Sequence, residues 1–233
     1  MFSNKHPFLT AFSLALGSAI ALGLGRFSYG LLLPVMKEDL DWSYLVAGAM
    51  NTANALGYFI GALSSPMIMR RMSVHRFFIS ASVITGVFLY LSGGTDNASL
   101  LFVLRVIAGI ASAWIFVAGG VLVSQLGSIH ANRSGLLLGI YYGGPGLGIF
   151  ISTLAVPFFN EWGMSTHWEH SWQLAWYALG ALCIVMTLIL IKPIASIPAI
   201  PPKPTGHSGT PLRTYVPVLA AYFMFGVGYI GYM

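Results

Sequence analysis

The chain has 233 residues, of which 57% are hydrophobic and only 7% charged, with a formal net charge of +5. A soluble domain carries about 25% charged residues, so a chain this poor in charge cannot keep its surface in water; its main solvent must be lipid. In such a protein the positive balance is a matter of topology rather than of nucleic-acid binding, and the single cysteine, Cys183, excludes an internal disulfide or a thiolate metal site.

Seven apolar runs follow in chain order: Phe8 to Met36, Tyr44 to Met69, Phe77 to Gly93, Ser99 to Val123, Gly135 to Phe159, Trp172 to Ile191, and a last one from Tyr215 to Met233. Each is about as long as a helix needs to cross a ~30 Å hydrocarbon core. They are continuous rather than alternating with period two, which predicts an all-α membrane protein and not a barrel. The first run is too long for a cleaved signal, holds Arg26, and is followed by further spans.

The loops between the runs give an orientation. Lys5, Arg70, Arg71, Arg76, Arg133, Lys192, Lys203 and Arg213 fall on one side and Lys37 alone on the other, which predicts a cytoplasmic N-terminus. Glu38, Asp39, Asp41, Asp96, Glu161 and Glu169 then all lie in outer loops. His167, Glu169 and His170 could hold a metal by residue type, but Trp168 and Trp172 beside them fit an aromatic belt better, so no metal and no cofactor is expected.

Three units are expected: a six-helix bundle over 1–192, a proline-rich cytoplasmic linker over 193–214, and the start of a second bundle over 215–233. The pattern G-x-G-x-x-x-Y in Gly23, Gly25 and Tyr29 returns in Gly226, Gly228 and Tyr232. Parallel six-helix halves joined by a loop hold their substrate between the halves near the midplane. Two such halves need about twelve spans, so the sequence is expected to be part of a longer transporter, needing a second half or a second copy of itself.

Only Arg26 and Arg105 are charged residues deep inside the runs. Arg26 is about ten residues from the outer end of its run, roughly 15 Å deep at 1.5 Å per residue. A central arginine costs at least ~2.5 kcal/mol to insert. It is either structural, satisfied by carbonyls of a neighbouring helix, or a charge on a substrate or proton path. Tyr29 shares its helix face, and Asn51 and Asn54 share a face of the second helix at similar depth, where they either glue helices together or line a cavity. Arg105 is shallower, with structural and functional readings both open. Tyr141 and Tyr142 point in different directions, so at most one faces a cavity. Gly143, Gly144, Pro145 and Gly146 are expected to weaken the fifth helix near its middle, where the proline removes one hydrogen bond and kinks it.

The stretch "GLGRFSYGLLLPVMKEDLDWS" resembles the YbfB/YjiJ group of the major facilitator superfamily (MFS). "RVIAGIASA" resembles its R-x-x-x-G motif in Arg105 and Gly109, and "GGPGLG" its G-P-x-x-G motif in Gly144, Pro145 and Gly148, with Ile149 where a final glycine is usual. "GALSSPMIMRRMSVHR" stands where the family's basic loop belongs, with Gly61, Arg70, Arg71 and Arg76, and with Ser65 in place of its acid. The resemblance implies an MFS-type N-terminal bundle plus the beginning of a seventh helix. It also implies a multi-pass protein of a bacterial cytoplasmic membrane and alternating-access transport, with a proton as one candidate coupling ion. The two arginines suggest a small polar or anionic solute, bound by Arg26, Tyr29, Asn51, Asn54, Arg105, Tyr141 and Tyr142, with the motif glycines and basic loop gating. No nucleic-acid partner is implied. An integral membrane enzyme would need clustered acids, histidines or a nucleophile, which the spans lack; a non-transporting or half-size assembly protein is the alternative.

Overall fold

A computed structural model describes residues 6–198 and, beyond them, residues 216, 217, 220, 221 and 224, which are helical. The chain divides into two compact units, Met1–Ala199 and Ile200–Met233. Lys5, Lys203, Arg213, most of the linker and the repeated residues Gly226, Gly228 and Tyr232 lie outside the described residues.

The first unit is built from six long helices: α1 (Pro7–Asp39), α2 (Tyr44–Met69), α3 (Val74–Ser92), α4 (Ala98–Ile129), α5 (Ser134–Ser165) and α6 (Ser171–Ala195). Their starts follow local chemistry. Ser43, Ser73 and Asn97 cap α2, α3 and α4 by accepting from the amides of Val46, Arg76 and Leu100, which satisfies donors the first turn leaves free. α1 begins with Pro7, whose missing N–H costs nothing at that position.

Five helices, all but α2, are long and apolar enough to cross a membrane. α2 has the length, with 26 residues, but Asn51, Thr52 and Asn54 lower its hydropathy. Several helices outrun the apolar runs. α4 continues past Val123 to Ile129 and α5 past Phe159 to Ser165, because polar residues at a helix end keep the backbone bonds while leaving the hydrocarbon. α6 passes through Pro193, where the expected linker begins, to Ala195; in a last turn proline removes a single bond.

α4 packs against α2 and α3, α3 also against α6, and α5 against α1 and α6. The polarity of the bundle is that of a protein in lipid. Ser18, Ser28, Asn54, Thr85, Arg105, Ser112 and Ser152 are buried, whereas Leu63, Leu154 and Leu188 are 65%, 60% and 64% exposed. Three crossings are close because glycine stands in them. A Cβ on Gly57 or Gly61 of α2 would collide with the α4 carbonyls of Val106 or Ile110. Gly144 and Gly148 of α5 lie against Ala15 and Ala19 of α1, and Gly86 of α3 against Gly180 of α6. Small residues let backbones approach where no hydrophobic effect drives helices together.

Candidate functional site around two arginines

Arg26 lies in an unusual piece of helix. From Ala19 to Phe27 α1 winds as a π-helix, a geometry rare in proteins and frequent at functional sites. The wider turn leaves carbonyls accessible, and three in this segment accept from side chains. Gly23 O takes the hydroxyl of Ser152 on α5 at 3.2 Å, Leu24 O the hydroxyl of Ser28 at 2.5 Å, and Gly25 O the guanidinium of Arg105 on α4 at 3.2 Å.

Arg105 is only 1% exposed. Besides Gly25 O it meets the ring of Tyr29 at 4.8 Å and that of Trp176 on α6 at 5.3 Å. Its Nε and Nη2 are buried and make no hydrogen bond among the described residues. Arg105 is thus held by a carbonyl of a neighbouring helix. Arg26 is half-buried, with its guanidinium 5.9 Å from the centre of the Tyr58 ring on α2, within cation–π range. The carbonyl that Arg105 grips belongs to Gly25, the residue before Arg26.

Tyr29 is buried and donates to Ala47 O of α2 at 2.8 Å. Asn54 is buried and donates through Nδ2 to the Arg105 carbonyl at 3.2 Å. Both hold helices together. Asn51, on the same helix, is half-buried. Of the tyrosine pair on α5, Tyr141 is buried and donates to Phe116 O of α4 at 2.7 Å, while Tyr142 is 54% exposed.

Pro145 cannot donate to the carbonyl of Tyr141, its partner in a regular helix. Ser18 of α1 fills the place, its hydroxyl 2.6 Å from Tyr141 O, and α5 remains one continuous helix through Pro145. Gly109 receives the backbone of Asn54 at the α2–α4 crossing, as Gly61 receives Ile110. Arg70, Arg71 and Arg76 are exposed at the α2–α3 turn, and no ion pair joins them to an acid among the described residues. Ser65, in the place of the acid, donates to Gly61 O of its own helix at 2.8 Å.

At the other end of the bundle His170 and Trp172 both reach Asp39 Oδ2, each at 2.6 Å, which ties the end of α1 to the start of α6. Among the described residues no group of three or more His, Cys, Asp or Glu is placed to hold a metal. Sequence reasoning missed the π segment, Tyr58, Trp176 and the two serines that bridge α1 and α5. None of these carries a sequence signal: Ala19 to Phe27 reads equally well as α-helix, and a lone aromatic or serine in an apolar run is ordinary.

Residues 18–233 match a family model described as "Uncharacterised MFS-type transporter YbfB". The match covers the π segment, both arginines and every helix after α1.

Proposed function

The chain belongs to this family of MFS-type transporters, and from that premise we propose that it moves a small polar or anionic organic solute across the bacterial cytoplasmic membrane by alternating access, with its N-terminus in the cytoplasm. The observation that carries the solute class is the pair of neighbouring cations. Arg26 and Arg105 lie on adjacent helices deep in the bundle, and the six acids of the chain fall at helix ends and in loops. Charge held inside a membrane protein marks a substrate or ion path by default, and positive charge at mid-depth favours an anionic group on the solute.

Arg26 takes the contact role because its side chain is half-buried and borders Tyr58, with Asn51 at similar depth on α2. Arg105 serves as a positioning residue: it grips the carbonyl of Gly25, next to Arg26, and so fixes the π turn that aims the Arg26 side chain. Tyr29 and Asn54 support the same arrangement through α2. Alternating access would displace α5 against α1 at the crossing of Gly144 and Gly148, and the arginines of the α2–α3 turn would meet phosphates at the inner surface. Coupling to a proton gradient has no carboxylate within these spans to carry it.

The test is binding and uptake by the complete protein in proteoliposomes, with small organic anions and cations offered in parallel. Anions should raise the melting temperature of the wild type and not of Arg26→Ala, and Arg26→Ala should lose uptake while its yield of folded protein holds. Selective stabilisation by cations, or an Arg26→Ala variant with unchanged uptake and affinity, would overturn the reading.

A further inference from the structure

One turn of α4, Arg105–Gly109, holds both α1 and α2 at the site. The side chain of Arg105 bonds Gly25 O, next to Arg26, and the Arg105 carbonyl accepts from Asn54 Nδ2 of α2. Val106 presses its carbonyl against Gly57, and Gly109 receives the carbonyl of Asn54 and the amide of Tyr58, with no room for a Cβ at either glycine. Contacts of backbone on backbone leave little freedom at a helix crossing. The α2 backbone at Tyr58 is therefore seated on the same stretch of α4 that anchors the turn carrying Arg26.

Tyr58 follows Asn54 by four residues and Asn51 by seven, so the three share one face of α2. Asn54 is buried, while Asn51 and Tyr58 are half-buried. The centre of the Tyr58 ring is 5.9 Å from the guanidinium of Arg26, itself half-buried. A carboxylate pairs with a guanidinium at about 2.8 Å. Whatever that carboxylate is attached to is then brought beside the Tyr58 ring. Aromatic rings attract one another at centre separations of about 4.5–7 Å, and a ring bonded directly to the carboxylate can close to that range. A tyrosine that only shielded the Arg26 cation would not distinguish two solutes of equal charge; one that touches the body of the solute would.

We propose that Tyr58 is a specificity-determining residue of this site. Arg26 takes the carboxylate and the Tyr58 ring reads the body attached to it, favouring a flat, unsaturated organic acid over a saturated one of the same size and charge. This rests on the transporter reading above and narrows the solute within it.

The probes are benzoate and cyclohexanecarboxylate, which carry the same charge on six-membered rings and differ in the π face. Their dissociation constants are measured by calorimetry on the complete protein. The wild type should bind benzoate about three- to tenfold more tightly, the scale of one aromatic pair. Burial of apolar surface alone does not produce that order, because the saturated ring has no less of it. Tyr58→Leu should abolish the preference and Tyr58→Phe should keep it. The preference is a ratio within one preparation, so a loss of stability or yield does not move it; where Tyr58→Leu does not fold, Tyr58→Met serves in its place.

Wild-type protein that binds neither probe, or both equally, overturns the proposal. A preference that survives in Tyr58→Leu or Tyr58→Met does the same, and so does one lost equally in Tyr58→Phe, which would place the effect on the hydroxyl. Equal binding of the two acids with anions still selected over cations would remove Tyr58 from its role and leave that of Arg26 standing. A ring preference that follows Tyr58 as stated, without uptake of benzoate by proteoliposomes, would uphold the specificity and count against the transporter reading.

Discussion

Arg105 reaches α1 and α6 at once: one nitrogen bonds Gly25 O, and the cation faces the rings of Tyr29 and Trp176. A lysine at 105 would keep the charge and lose the planar fork that makes these contacts together. Arg105→Lys should therefore destabilise the protein by about 2 kcal/mol, the size of a desolvated cation–π contact or a hydrogen bond to a charged group, read as a lower melting temperature in detergent. Arg26→Lys, at a half-buried position, should melt close to the wild type and lose affinity for the solute. Equal melting of Arg105→Lys and wild type would remove Arg105 from its anchoring role. Tyr29→Phe deletes a single neutral hydrogen bond, to Ala47 O, and should cost about 1 kcal/mol by the same measurement.

At the scale of elements, the crossing of α1 and α5 depends on a substitution of partners. Pro145 frees the carbonyl of Tyr141, and the Ser18 hydroxyl occupies it at 2.6 Å. Ser18→Ala should then leave a buried carbonyl unsatisfied and cost about 1–2 kcal/mol. In a Pro145→Ala background the amide of residue 145 can return to that carbonyl, and the same Ser18→Ala change should cost little. The double-mutant cycle would give a coupling of about 1 kcal/mol; a cycle that sums to zero would mean that the proline and the serine act independently. This arrangement marks the limit of what the sequence reveals. The helices were legible because runs of Leu, Ile, Val and Phe as long as a bilayer is thick have few alternatives. Arg26 was legible because charge among such residues is conspicuous. That Arg105 is buried and Arg26 only half-buried was not, since burial of a side chain depends on which helix lies beside it. The π segment was not legible either. Nine residues from Ala19 to Phe27 read equally well as α-helix, and the serines and the arginine that hold its carbonyls come from α1 itself, α4 and α5.

At the scale of the whole molecule, charge divides the two ends of the bundle. Arg70, Arg71 and Arg76 occupy the α2–α3 turn and Arg133 the turn between α4 and α5. Glu38, Asp39, Asp96, Glu161 and Glu169 lie at or near the opposite ends of the helices, where Asp39 also holds His170 and Trp172. Among the described basic residues at the helix ends Lys37 is the exception, and it lies over the Tyr44 ring at 4.4 Å. Translocation discriminates against short loops rich in lysine and arginine, so the arginine end should remain in the cytoplasm. Two exposed loop positions decide this: Asn132, beside Arg133, and Asp96, between α3 and α4. With Cys183 replaced by serine, Asn132→Cys should react with an impermeant thiol reagent only in inside-out vesicles and Asp96→Cys only in right-side-out vesicles. The reverse pattern would invert the topology.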